Sequence, residues 1–229
     1  IVISMNLEQS KDKFKKDGYC TFPIKLLNED YYNFLSECFR GKDLRSLFNS
    51  GRLDVEPDDG PYSIKFNSVE EKENLYETYK GDFITQLWFW NNKWDTDIAE
   101  FTGVPEIKSI IEDGYKEIID FLYDFDEDVK IIPNDMQITH YNKHCRITEH
   151  SDGDYDDSKH FCSIPLYLNE GWDKNDGGLL YLNGEEIIPE FGTVVAFDLL
   201  NHDIKHEVSE VISDVSRNTI IYFPKLQHS

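Results

Sequence analysis

The sequence predicts a mostly β chain with helices: a double-stranded β-helix, or jelly roll, carrying an N-terminal helical layer. Three observations predict it. From Val129 onward, short apolar runs are separated by Gly, Pro, Asn and Asp, the pattern of many short strands closed by turns. Before that point apolar residues recur at helical spacing, most clearly from Val104 to Phe125. A chain of 229 residues with 39% hydrophobic and 14% aromatic content suits one undivided domain with a packed core. The expected organisation is one domain over 1–229, with helical support and early strands in 1–128 and the double-stranded β-helix in 129–224.

Asn6 to Lys16 reads as an amphipathic helix with Leu7 and Phe14 on one side, ended by Asp17 and Gly18. Tyr19 to Phe22 is a short strand stopped by Pro23. Asn28 is a good N-cap for a helix over Glu29 to Phe39, because its side chain can accept an orphan backbone N–H. Acidic residues fill that helix's first turn and Gly41 lies just past its end. Tyr32, Phe34, Leu35 and Phe39 supply its apolar side.

Ser50 to Asn67 is rich in Asp, Gly and Pro and reads as a loop, either a flap over a barrel mouth or solvated surface. Ser68 caps a charged helix that runs to Lys80. Asp82 to Trp90 is aromatic and β-like. Trp88, Phe89, Trp90 and Trp94 suit either a substrate pocket or core packing. Val104 to Phe125 is the longest helical pattern, with Pro105 near its first turn and Ile107, Ile111, Tyr115, Ile118 and Leu122 along one face. Such a helix would brace one sheet. The acidic run Asp124 to Asp128 follows as a solvated turn.

A net charge of −22 disfavours nucleic acid and anionic membranes as partners, since both are bound by Lys and Arg. No apolar run approaches the roughly 18 residues of a membrane span. Ile1, Val2 and Ile3 are too short for a signal peptide. Cys20, Cys38, Cys145 and Cys162 form no CxxC pair, so a reduced, cytoplasmic setting is expected.

The chemistry centres on the stretch Glu149 to Asp154. His150 and Asp152 are separated by one residue, so on an extended strand they share a face and their side chains converge. A second histidine would complete a set of two imidazoles and one carboxylate, which holds Fe(II) and leaves open positions. His206, in the strand-like run to Val211, is that candidate, and Arg217 follows in a β-branched run to Phe223. The other histidines are weaker candidates. His140 should face away if Tyr141 faces inward, His144 falls in a turn, and His160 precedes a strand. His202 lies in a loop and His228 at the end of the chain.

Further pieces occur in order between and around these residues. They are Ser163 to Trp172 with its Tyr167-Leu168-Asn169, then Gly177-Gly178 with Leu180, then Pro189 to Phe197. With the histidines, Asp152 and Arg217, they make Met136 to Phe223 resemble the catalytic core of the prolyl 4-hydroxylase-like Fe(II)/2-oxoglutarate dioxygenases, including the oxygen-sensing prolyl hydroxylases. The resemblance implies a cupin-like barrel, with 129–224 as its catalytic core. It implies Fe(II), 2-oxoglutarate as co-substrate and O2, and allows ascorbate as an auxiliary.

By the same resemblance His150, Asp152 and His206 are the catalytic metal ligands. Arg217 binds the distal carboxylate of 2-oxoglutarate through its planar fork. Tyr141, Tyr167 and Thr219 are further co-substrate contacts. The family often has a Gly-containing loop after the tyrosine; here Asn142 to Arg146 has none. Related halogenases lack the carboxylate that Asp152 provides, so hydroxylation is expected. The substrate is a prolyl or other residue of a protein, or alternatively a free amino acid or small metabolite; a non-catalytic binding protein would need neither the ligand set nor Arg217. Glu149, Asp154, Asp156 and Asp157 flank the ligands, so a cationic substrate is expected if they line the barrel mouth.

Overall fold

A computed structural model of the chain describes residues 6–42, 44, 86–89, 98–125, 130–152 and 160–227. Helix α1 spans Leu7–Asp17. Asn6 caps it, accepting from the Gln9 backbone N–H while the Gln9 side chain accepts from Asn6, a closed capping box. Gly18, at φ +79°, ends the helix where any Cβ would strike the His202 ring. Strand β1 (Tyr19–Pro23) follows, then the single turn α2 (Ile24–Leu27) and α3 (Glu29–Phe39), whose N-cap Asn28 accepts from Tyr31 at 2.8 Å.

Beyond β2 (Gln86–Phe89) and a helical stretch at 98–102, the bracing helix α4 covers Ile107–Leu122, shorter at both ends than Val104 to Phe125. The first difference has a local cause and the second a tertiary one. The Thr102 hydroxyl accepts from the Val104 N–H, holding Pro105 in a turn ahead of the helix. Tyr123 leaves the helix extended, its hydroxyl on Phe161 O and Asp198 Oδ1 and its ring among Phe14, Phe125 and Phe161. Apart from a 3-10 turn at Lys174–Asp176, the remaining described elements are strands: β3 (Lys130–Tyr141), β4 (Ile147–Ser151), β5 (Cys162–Tyr167), β6 (Leu180–Leu182), β7 (Glu185–Ile187), β8 (Thr193–Asp198), β9 (Lys205–Val208) and β10 (Arg217–Gln227).

These strands form two antiparallel sheets, a six-stranded one in the order β1-β8-β5-β10-β3-β2 and a four-stranded one in the order β4-β9-β6-β7. Period-two alternation sorts the six-stranded sheet's side chains into two cores. Cys20, Phe22, Met136, Ile138, Ile164, Leu166, Val194, Ala196, Ile220 and Tyr222 face the helices, meeting Phe14, Leu35, Ile111, Tyr115 and Ile118. Their neighbours Tyr19, Tyr141, Tyr167, Val195 and Phe197 face the other way and pack on Leu180, Leu182 and Val208 of the smaller sheet. The helical layer therefore covers one face, and the double-stranded β-helix closes over the other.

Among the described residues no helix is long and apolar enough to cross a membrane. The expected loop Ser50 to Asn67, the helix Ser68 to Lys80, Trp90, Trp94, the end of the acidic run after Phe125, and Asp154, Asp156 and Asp157 lie outside the described residues.

Candidate active site

The two histidines meet because β4 and β9 pair in a register that sets His150 directly across from His206. A bulge between Ile147 and His150 sets that register: Ile147 pairs with Val208, so β4 spends one more residue than β9 over the same span. The extra residue lets both Ile147 and His150 face the barrel interior. The ring centroids stand 4.3 Å apart, and Phe197 packs on His206 at 4.7 Å. Strand β4 stops at Ser151, so Asp152 sits in a turn rather than on the extended strand that its spacing predicts. Its carboxylate still reaches both rings, with Oδ1 at 3.6 Å from His150 Nε2 and 3.7 Å from His206 Nε2.

This trio is the cluster among the described residues able to hold a metal ion, its donor atoms all within 4.8 Å of one another. The other ring nitrogen of each histidine turns to backbone. His150 Nδ1 lies 2.9 Å from Thr148 O, and His206 Nδ1 lies 3.5 Å from Ile204 O. An Nδ1–H donating to those carbonyls leaves both Nε2 lone pairs facing Asp152, the tautomer a metal ligand needs. Two imidazoles and one carboxylate on one side of a site fit Fe(II).

Electrostatics favour the same state at Asp152 and His206. Burial alone would raise the Asp152 pKa, but His206 and His150 outweigh it and bring the carboxyl down to about 2. Burial pushes His206 down, with Asp152 only partly opposing. Burial also acts to lower His150, yet the bond and charge of Asp152 prevail and raise it. Asp152 is thus ionised and His206 neutral near pH 7. The Ser163 hydroxyl is near enough to favour the Asp152 anion but makes no well-formed hydrogen bond.

Arg217 opens β10 on the facing sheet and is 4% exposed. Its Nε–H donates to Gly178 O at 2.8 Å and its Nη1 to Thr219 Oγ1 at 3.3 Å. The guanidinium lies between two rings, 5.0 Å from the Tyr141 centroid and 4.9 Å from that of Tyr167. Among the described residues no carboxylate pairs with it. A buried cation without a counter-ion is costly, which fits a site built for an anionic ligand. Register brings the other expected contacts together: Arg217 opposes Tyr141, and Thr219 opposes Tyr167. The buried Tyr167 hydroxyl has no hydrogen-bond partner among the described residues, and burial raises its pKa against the pull of Arg217, so it stays a donor.

The loop Asn142 to Arg146 manages without glycine because His144 itself takes φ 72°, held by Glu210 at 2.6 Å and by its N–H on Val211 O. The remaining histidines have other partners. His140, on the opposite face of β3, meets Asn218 Oδ1 at 2.7 Å; His202 binds Asp198; and His160 bridges to Lys225 with its ring on Phe223. His228 lies outside the described residues.

Two residues went unassigned in the sequence. Gly178, at φ +59°, gives Arg217 its passage: a Cβ there would stand 2.9 Å from Arg217 Cδ. Its signal is the Gly177-Gly178 pair. Thr139, opposite Thr219, gives no signal before strand pairing is known.

Residues 136–224 match the family model of the 2OG-Fe(II) oxygenase superfamily. No curated protein matches the chain in sequence. Among solved structures it resembles a prolyl-4-hydroxylase from Pseudomonas putida, with TM-score 0.57 and 18% identity over 96% of this chain and 100% of that one. It also resembles a prolyl hydroxylase from Trichoplax adhaerens in complex with a hypoxia inducible factor oxygen degradation domain peptide fragment, with TM-score 0.59 and 14% identity over 95% and 88%. The carbocyclase SnoK from nogalamycin biosynthesis is similar too, with TM-score 0.58 and 11% identity over 96% and 85%. These likenesses are of fold. The segment that carries His150, Asp152, His206 and Arg217 is the one that matches the 2OG-Fe(II) oxygenase superfamily, whose members use Fe(II), 2-oxoglutarate and O2.

Proposed function

We propose that the chain is an Fe(II)- and 2-oxoglutarate-dependent dioxygenase that hydroxylates an unactivated C–H bond in a prolyl or other residue of a protein. The observation that carries this reading is the pairing of the His150–Asp152–His206 cluster, in one barrel, with a buried Arg217 that meets no carboxylate among the described residues. The bound iron, with 2-oxoglutarate and O2, would supply the oxidation that inserts oxygen into the C–H bond and yields succinate and carbon dioxide. His150 and His206 would hold it through Nε2 and Asp152 through its carboxylate. Arg217 would fix the distal carboxylate of 2-oxoglutarate with two parallel N–H bonds, aided by the hydroxyls of Tyr167 and Thr219, with Tyr141 packed beneath the guanidinium. Phe197, Leu180, Leu182 and Trp172 keep water from that interior. Asp152 occupies a position that halogenation would need open, which favours hydroxylation.

The likeness to two prolyl hydroxylases, one solved with a peptide, supports a protein substrate. A net charge of −22 and the acidic residues that flank the ligands in sequence support a basic segment. Succinate formation from 2-oxoglutarate, with and without Fe(II), tests the reaction; none in the presence of iron and cell extract sinks it. Products heavier by one oxygen in the peptide fraction of that extract support the protein substrate. The same gain in the metabolite fraction alone moves the reading to a free amino acid or small metabolite. Converting Asp154, Asp156 and Asp157 to Asn should then raise the substrate KM but not that for 2-oxoglutarate.

A further inference from the structure

Strand register lines up three hydroxyls across the middle of the six-stranded sheet. Thr139 of β3 opposes Thr219 of β10, which on its other side opposes Tyr167 of β5. All three stand on the face that carries Tyr141 and Arg217, because residues two apart on a strand share a face. All three are buried, at 0%, 1% and 1% exposure. Thr139 Oγ1 and the Tyr167 hydroxyl have no hydrogen-bond partner among the described residues. Thr219 Oγ1 accepts from Arg217, which leaves its own O–H free to donate.

An unpaired hydroxyl at full burial is costly, and a valine would fill the Thr139 position with the same shape and no such cost. Opposed residues on neighbouring strands have Cβ atoms only about 5 Å apart, so one small anion at Thr219 is within reach of Thr139 as well. We infer that the Thr139 hydroxyl donates to the distal carboxylate of 2-oxoglutarate, making Thr139 a co-substrate-binding residue beside Arg217, Thr219 and Tyr167. This deepens the proposed function and rests on its assignment of Arg217 as the anchor.

Calorimetry of 2-oxoglutarate binding to the full chain loaded with Mn(II), which binds without turnover, reads the effect directly. Thr139→Val should weaken binding about tenfold, the range for one hydrogen bond to a charged group. Thr139→Ser should stay within about threefold of the parent, since the donor remains. The melting temperature of metal-free Thr139→Val should equal or exceed that of the parent. Unchanged affinity in Thr139→Val, alongside weakened binding in Arg217→Lys, overturns the role of Thr139 and leaves the anchor standing. Unchanged affinity in Arg217→Lys overturns both. A lower metal-free melting temperature in Thr139→Val would assign the hydroxyl to the protein's own packing and overturn the inference.

Discussion

Replacing Arg217 by Met separates a ligand anchor from a structural cation. The wild-type guanidinium is 4% exposed and has no carboxylate partner among the described residues. Holding such a charge in the interior costs several kcal/mol even after relaxation. It is offset by the bond to Gly178 O, about 1.5–3 kcal/mol for a charged donor, and by the Tyr141 and Tyr167 rings at about 0.5–2 kcal/mol each. Met of similar length loses both sides of that balance. The ligand-free variant should therefore unfold within about 1–2 kcal/mol of wild type, a Tm difference of roughly 8 °C or less for a chain of this size. Binding behaves differently. The carboxylate loses two charge-assisted hydrogen bonds, together at least about 3 kcal/mol, or more than about 100-fold in Kd. Scanning calorimetry with and without 2-oxoglutarate on Mn(II)-loaded protein gives both quantities. At a 100-fold excess over Kd the wild type gains about 2.7 kcal/mol, and the variant should gain almost none. A variant that loses several kcal/mol of ligand-free stability yet keeps that gain would refute the assignment.

His150→Ala and His206→Ala should each abolish stoichiometric Mn(II) binding by calorimetry while keeping a native circular dichroism spectrum; tight binding in either removes that residue from the ligand set. Gly178→Ala forces an L side chain to φ +59° and sets its Cβ 2.9 Å from Arg217 Cδ. It should cost about 1–3 kcal/mol in denaturant unfolding and weaken 2-oxoglutarate binding, and normal affinity would break the link between the glycine and the anchor. Gly114→Ala pits helix propensity, worth about 1 kcal/mol in favour of Ala, against a Cβ only 2.2 Å from Tyr31 Cζ in α3. Because Tyr31 is buried and cannot swing clear, overpacking of about 1–3 kcal/mol should prevail, and a stabilised variant would show that the two helices can part.

Local rules were legible in the sequence wherever the physics is local. Asn28 as a cap and Gly18 as a helix end depend on residues a few positions apart, and each sits where expected. The His150–Asp152–His206 cluster and the buried Arg217 were singled out by an ordered motif, and the structure brings the three cluster residues together. The C-terminal end of α4 was not, because a tertiary partner sets it: Tyr123 leaves the helix for Asp198 and Phe161.

Three features were decided only by tertiary structure. The bulge in β4 that brings Ile147 and His150 to one side exists only in the pairing with β9. Asp152 reaches both imidazoles from a turn, where the period-two rule that suggested it no longer applies. The row Thr139–Thr219–Tyr167 joins residues far apart in the chain whose adjacency is a matter of register, and register is set by the two cores on either side of the sheet. The sequence by itself thus determined which residue types could bind a metal and an acid; cross-strand pairing determined which of them share a site, since a shift of one residue would have turned each to the opposite face.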